Sequence, residues 1–498
     1  MAQRNLSRAL VDNCVEAGRG DQAAIREPKR VWTYARLADE MVRAAGALRE
    51  LGVQPGDRIA LLMHDSAELA AVFLGAVRIG AVPVPLNVLL RPLELRTLLN
   101  HCQAVEVIAS GDLADGVEQV RGELPMLRHL CSIGGAHPGQ IDFAARCSDV
   151  EPWTPAHDPE DGQPAFILYS GAPGDAPRAT AHDHAAPRHA YTSYAAHVLE
   201  LEPTDRVLST TKLSTAYGLS VGLLFPLMAG AATFLLPSRA RPRTLFEMMA
   251  AFVPTIFAAT PSLYAQLAHD FAELRVPRPK LMASVRHALS GGETLPIAVE
   301  KRVHELFGVE LLHGFGITDA LSFVLSNTPT SRRQLSVGRP LPGIEARVVN
   351  GEGNEVAPME IGALEVRGPT FAGALKSGDR FLVDDDGYFF YCGRADDLFK
   401  VSGRWLAPAE VERALLLHPA VWECAVVEDR DDDGLPQPHA FVVANIGHAP
   451  SDELAFELMR FVKDEIAPYK YPRQVSFVDA LPRAPDGKVQ RWKLRGAV

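Results

Sequence analysis

The amino-acid sequence predicts an α/β protein: a large N-terminal domain of layered sheets with helices and a β-rich subdomain, then a small mobile α+β C-terminal domain. Three observations carry that expectation. Helices alternate with short apolar strands near the start, short strands take over between 338 and 392, and a new helix–strand series begins after Gly393.

Leu37, Met41, Ala45 and Leu48 recur at helical spacing, with Gly52 as a cap, and an apolar strand follows at 59–63. The rhythm repeats as a helix over 68–77, a strand at 82–86, a helix over 92–101 and a strand at 105–109. Ligands in such layered folds gather at loops beyond strand ends. Residues 213–238 carry no charge, but Tyr217, Gly218, Gly222, Pro226 and Gly230 interrupt them, so they read as a buried helix, a turn and a buried strand rather than a membrane span. Strands at 346–349, 363–366 and 388–391 form the β-rich end of the large domain. The acidic runs 384–386 and 431–433, each before a glycine, read as solvated turns. The small domain begins with a helix at 408–417, strands at 421–427 and 439–444, and an amphipathic helix carrying Leu454, Leu458, Phe461 and Val462. Its joint with the large domain is placed at Asp396, giving domains 1–395 and 396–498.

Composition narrows the function. The 498 residues carry 50 Lys and Arg against 61 Asp and Glu, a net charge of −11, which gives no general attraction to nucleic acid or anionic membrane. Six dispersed cysteines (14, 102, 131, 147, 392 and 424) form no CxxC pair and suit reduced thiols in a cytoplasm. The first twenty residues lack the apolar core of a secretory signal, so the expected compartment is cytoplasmic.

Motifs then succeed one another along nearly the whole chain: WTYARLADE near the start, AYGLSVGLLFPL at 216–227, ATPSLY at 259–264, SGGE at 290–293, HGFGITD at 313–319, SGD at 377–379, GRADDLFKVSGRWLAPAEVE at 393–412, APYKYPR at 467–473 and LPRAPDGKVQRWKLR at 481–495. In this order they resemble the adenylate-forming superfamily of acyl- and aryl-CoA synthetases, in particular its benzoate-CoA ligase branch. The resemblance implies two half-reactions in one site. A carboxylic acid attacks ATP to give an acyl adenylate, the small domain rotates, and a thiol forms the thioester.

It also implies roles. Asp379 matches the ribose-binding Asp and Arg394 its neighbouring contact, Asp396 the hinge, and Lys488 the mobile lysine of adenylation. Gly291, Gly292 and Glu293 match the adenine-side strand, and 314–318 the loop around the nucleotide, with Thr318 in it. Asp319 stands where the family has a Glu supporting Mg²⁺. Ala216, Tyr217, Gly218 and Gly316 match a flat slot for one aromatic ring, with Ser322 in place of an expected His. Gly403, Arg404 and Trp405 match the aryl-CoA pattern of the small domain. His182, Asp183, His184 and His189 read as framework rather than metal ligands, and no metal site is expected.

The phosphate loop departs from the family's SSGTTGxPKG. Residues 169–180 read YSGAPGDAPRAT, with Ala172 and Pro173 for two threonines, an added residue near Asp175, Arg178 for the lysine and Ala179 for the glycine. Hydroxyl, amide and lysine donors for polyphosphate are thereby reduced. The link before Ser377 is also short. From these losses the sequence reading expects an acyltransferase. It would move an aromatic acyl group from an aryl-CoA thioester to another thiol, such as the phosphopantetheine of an acyl carrier protein, with the ATP step lost. An ATP-dependent aryl-CoA ligase using ATP, Mg²⁺ and CoA is the alternative, and a non-catalytic acyl-CoA-binding protein a third.

Overall fold

A computed structural model describes residues 4–135, 139–170, 177–238, 241–371, 373–395, 398–401, 404–431, 434–445, 447–483 and 489–495, apart from 274–281 and the side chains of 272, 273, 405 and 492. Two sheets with helices on their faces form the large domain. The first has five parallel strands, in the order Val82–Pro85, Arg58–Leu62, Glu106–Ser110, His129–Ile133 and Ile141–Asp142. The second has nine. Its parallel centre runs Leu311–Gly316, His287–Ser290, Ile256–Ala259, Arg206–Ser209, Ala232–Phe234 and Ala23–Glu27, with antiparallel strands at both ends. The expected α/β rhythm is realised here, including Ala67–Arg78, Pro92–Cys102 and the cap at Gly52, whose φ is +82°.

The uncharged stretch folds as read. Helix runs from Ala216–Leu219 through Phe225–Ala229, stops at Gly230 with φ +75°, and continues into the strand Ala232–Phe234. Among the described residues no helix is long and apolar enough to cross a membrane. All six cysteines are free thiols.

The β-rich end is a four-stranded antiparallel sheet of Glu345–Val349, Gly362–Arg367, Leu375–Val383 and Phe389–Arg394. Its third strand was not anticipated, because Lys376, Ser377, Gly378 and Asp379 are poor strand formers. Pairing on both edges overrides that preference, and Gly378 takes φ +80° within it. The acidic run beside it is a turn. Asp384 accepts from the backbone N–H groups of Asp386 and Tyr388, and Arg333 pairs with both acids. Of the second run, residues 432 and 433 lie outside the described residues.

In the small domain Val421–Arg430 pairs antiparallel with Pro436–Ala444, which pairs parallel with Gln474–Phe477. Helices Pro408–Leu415 and Asp452–Glu465 bury Val411, Leu415, Leu458 and Val462 with Val426 of the sheet. Trp422 packs on the apolar cluster around Phe271 and Phe307, and Arg413 lies 5.9 Å from the Phe390 ring centre, so this unit seats on the large one. Asp396, the expected joint, lies outside the described residues.

Candidate active site

Helix and strand ends converge where the strands His287–Ser290 and Leu311–Gly316 finish. Thr215 caps the helix that carries Ala216, Tyr217 and Gly218, its hydroxyl accepting from Gly218 N–H at 3.1 Å. Gly218 has to be glycine, since a Cβ there would collide with the Lys212 carbonyl. This start turns Tyr217 toward the sheet. Its ring stacks on Phe323, with centroids 5.0 Å apart and planes 21° from parallel, while Tyr194 meets Phe323 edge-on at 5.1 Å. The Tyr217 and Tyr194 hydroxyls are both sealed from solvent without a hydrogen-bond partner. Burial pushes both phenols above their ordinary range.

Phe323 lies against bare backbone on its other side. A Cβ on Gly291 would come within 2.5 Å of its ring, one on Gly314 within 2.5 Å, and one on Gly316 within 3.1 Å. At the place between Tyr217 and Gly316 where a flat slot was expected, the chain's own phenyl ring is packed. The sequence reading stopped one residue short, at Ser322. Glycines at 314 and 316 on one strand and at 291 just past the end of its neighbour, all packed on one aromatic, were the available signal.

On the side where a nucleotide is expected, the hairpin Pro164–Ser170 and Arg178–Asp183 brings Arg178 to Asp319, with Nη2 3.0 Å from one carboxylate oxygen and 3.2 Å from the other. The tip of this hairpin, Gly171 to Ala176, lies outside the described residues. His182 stacks on Phe166 at 5.0 Å, and His184 accepts from the Leu6 N–H at 3.1 Å. Burial drives both imidazoles down to about 4. Their contacts are those of framework residues, and among the described residues no group of three or more His, Cys, Asp or Glu is arranged to hold a metal.

Asp379 is buried and in register with Arg394. Its carboxylate accepts from the Tyr391 hydroxyl at 3.5 Å, and Arg394 Nη1 lies 3.9 Å away. The Tyr391 ring in turn stacks near Phe315, between Gly314 and Gly316, at 6.0 Å. One contact chain thus links Asp379 to the strand beneath the slot. Gly292, two residues past the strand His287–Ser290, takes φ +85°. Glu293 caps a helix: its carboxylate accepts from the N–H and hydroxyl of Ser262, and Arg483 of the small domain approaches to 3.6 Å while also pairing with Glu423. Burial raises the Glu293 carboxyl despite these partners. Arg404 stacks over Tyr469 at 5.2 Å. Gly403, Lys488 and the Trp405 side chain lie outside the described residues.

With this geometry in view, known proteins give the class. Residues 12–374 match the AMP-binding enzyme family and 410–488 its AMP-binding enzyme C-terminal domain. The chain belongs to that family. Within it, the chain is 36% identical over 511 residues to the benzoate–CoA ligase of Thauera aromatica, covering 99% of this chain and 96% of that protein. Its fold matches an anthranilate CoA ligase solved with anthranoyl-AMP at a TM-score of 0.90 with 32% identity, covering 98% of this chain and 96% of the other. A benzoate CoA ligase from Burkholderia xenovorans LB400 matches at 0.89 with 36% identity, covering 99% of each chain.

These likenesses overturn the expected transferase. The proteins that the chain matches end to end are CoA ligases of aromatic acids. Five altered positions in one hairpin weigh less than two matched domains, because backbone amides and a single guanidinium can supply much of what a phosphate loop needs. The carrier-protein thiol belonged to the transferase reading and goes with it.

Proposed function

We propose that the protein is an ATP-dependent ligase for aromatic carboxylic acids. A carboxylate oxygen attacks the α-phosphorus of ATP and pyrophosphate leaves. The thiol of CoA then loses its proton to solvent and attacks the acyl carbon, and AMP leaves with its C–O bond to the acyl group broken. The observation that carries this reading is the 36% identity to a benzoate–CoA ligase across 99% of the chain.

Local geometry agrees with it. Asp379, buried and held by Tyr391, is a preformed acceptor for the two ribose hydroxyls. Thr318 and Asp319, at the turn that ends Leu311–Gly316, are the groups that would hold Mg²⁺, which neutralises phosphate charge when bound. Asp319 suits this role because its partner Arg178 is 54% exposed, and so can turn from the carboxylate toward phosphate. Lys488, Arg394 and Arg404 keep the roles implied by their motifs.

The test is ATP–pyrophosphate exchange with Mg²⁺ and a panel of benzoate, anthranilate and five-membered heteroaromatic acids, followed by CoA addition. Acid-dependent exchange and an aryl-CoA product are expected. Absence of exchange with every acid overturns the ligase.

A further inference from the structure

We propose that Arg483 is a positioning residue for adenylation: spanning Glu423 of the small domain and Glu293 of the large one, it ties the chain on either side of Lys488 to the large domain beside Gly291 and Gly292. The assignment rests on the ligase reading and deepens it.

Arg483 uses its two terminal nitrogens on two different domains. Nη2 pairs with Glu423, on the strand Val421–Arg430, and Nη1 lies 3.6 Å from Oε2 of Glu293. The Arg483 and Glu293 side chains are 25% and 10% exposed, so water and salt screen this pair less than the surface pairs of the molecule. A guanidinium permits the double contact because its donors point apart in one plane, where a single ammonium would serve one carboxylate.

The strand is shaped for the same contact. Val421 pairs with Ala444 and Glu423 with Val443, so Trp422 is the extra residue of a β-bulge. A bulge re-aims the side chains around it. Here Trp422 packs on the large domain's cluster around Phe271 and Phe307, while the adjacent Glu423 holds Arg483. An apolar contact and an ion pair thus dock the small domain from neighbouring positions.

What Arg483 carries follows from the chain around it. It forms an antiparallel bridge with Val489, and Gln490 N–H donates to the Pro482 carbonyl at 2.8 Å. Arg491 then holds Glu412 of the helix Pro408–Leu415, with Nη2 2.9 Å and 3.0 Å from its two oxygens. Lys488 is the residue before Val489. The described chain that bears it is therefore tied, through Arg483, to a glutamate that directly follows Gly291 and Gly292. A cation supplied by one domain has to meet a nucleotide held by the other, and this contact fixes the two domains to each other where they meet.

The contact is also built to open. If the small domain leaves, Arg483 keeps Glu423, and Glu293 keeps the N–H and hydroxyl of Ser262. Breaking a buried ion pair is costly where it strands a charge. Neither charge is stranded here, so docking can be released after each adenylation.

The experiment compares wild type with Arg483→Ala and Arg483→Lys in the two half-reactions. These are ATP–pyrophosphate exchange with benzoate and anthranilate, and thioester formation from the supplied acyl adenylates and CoA. The second attacks carbon rather than phosphorus, so it does not need a cation placed at the phosphate. Hydrogen–deuterium exchange over the strand Val421–Arg430 and the helix Ile297–Phe307, which meet across the domains, reads docking without any reaction. Circular dichroism melting establishes that each variant is folded, with Arg483→Lys carrying the test if the alanine variant is not. Pyrophosphate exchange is expected to fall about 10–100-fold in Arg483→Ala, the scale of a misplaced reacting group, and less in Arg483→Lys. Thioester formation should stay within about threefold of wild type, and deuterium uptake should quicken on both faces. Equal losses in the two half-reactions, or unchanged uptake, overturn the assignment. If neither acid supports exchange even in wild type while uptake still rises in the variants, the ligase reading falls and the Arg483–Glu293 contact keeps its docking role.

Discussion

The proposed acyl slot and the proposed nucleotide edge share one strand, Leu311–Gly316, and are built by opposite rules. In the slot an apolar ring, Phe323, occupies the volume an apolar ligand would take. At the edge, charged groups are held by other charged groups: Arg178 by Asp319, Arg394 near Asp379, and Arg483 between Glu293 and Glu423. Each arrangement avoids the local cost of emptiness. An unfilled apolar cavity forfeits dispersion contacts, whereas an unpartnered half-buried charge forfeits solvation. Binding on one side therefore requires a change of packing, and on the other an exchange of ion pairs.

Acidification probes both sides at once and has the largest expected effect. His182 in the second strand of the hairpin, His184 just after it and His313 on the strand Leu311–Gly316 are all driven by burial to about 4. Unfolded, each imidazole binds its proton near 6.5, so between 6.5 and 4 the unfolded chain holds more protons than the folded one. Stability is complete above that window and falls as pH drops through it, by at most about 3 kcal/mol per imidazole. The sides differ in what faces each ring: His182 has Asp319 and Asp183 near it, and His313 only Ser290, whose carbonyl lies 3.2 Å away. Urea unfolding from pH 7.5 to 4.5 should show the loss, and His313→Gln should flatten it. An unchanged slope in that variant would remove His313 from the account.

Asp379→Ala breaks the comparison on the nucleotide side. Two hydrogen bonds from ribose hydroxyls to one carboxylate are worth about 1.5–3 kcal/mol each, so kcat/KM for ATP should fall about 10³-fold. The acid's calorimetric affinity should not move, since the slot lies across Phe315 and Tyr391. Equal losses in both would show that the sides are one coupled site.

How legible this was follows from the kind of residue. Helical spacing and alternating strands exposed the layered sheets, because burial patterns are written residue by residue. Tyr217, Gly218 and Gly316 were legible as a slot by family likeness. Phe323 was not, since a phenylalanine in SFVLSN looks like any strand residue until Leu321 is seen to turn it inward. Arg178 and Asp319 were each read as a departure, one long for a lysine and one short for a glutamate. Their pairing across 141 positions, with the longer cation meeting the shorter acid, became visible only with the hairpin folded. The strand holding Asp379 escaped notice because its pairing, not its composition, makes it a strand.

That pairing predicts a smaller effect. Arg178 is half exposed, so its ion pair contributes at most about 1 kcal/mol to stability. Arg178→Ala should therefore leave unfolding nearly unchanged. The half-saturating Mg²⁺ concentration for exchange should fall by up to about fivefold, as Asp319 loses its competitor. The difference should shrink in 0.5 M salt, which screens exposed charges. A rise in the Mg²⁺ requirement at low salt would mean that Arg178 serves the phosphates more than it restrains Asp319.

The smallest effect isolates packing from polarity in the slot. Tyr217→Phe keeps the ring that stacks on Phe323 and removes a hydroxyl sealed from solvent without a partner. Such a group loses water on folding and gains nothing in return, so its removal should leave the protein as stable or more stable, by about 1 kcal/mol or less in urea unfolding. Tyr217→Ala differs in kind: it deletes the ring and leaves a cavity beside Phe323, a change that costs about 3–5 kcal/mol for a large aromatic. It also frees Phe323 on its stacked face, so benzoate affinity should rise in the alanine variant and stay level in the phenylalanine one. A destabilised Tyr217→Phe would show that the hydroxyl is bonded in solution, and that the slot has a polar floor able to read a ring substituent.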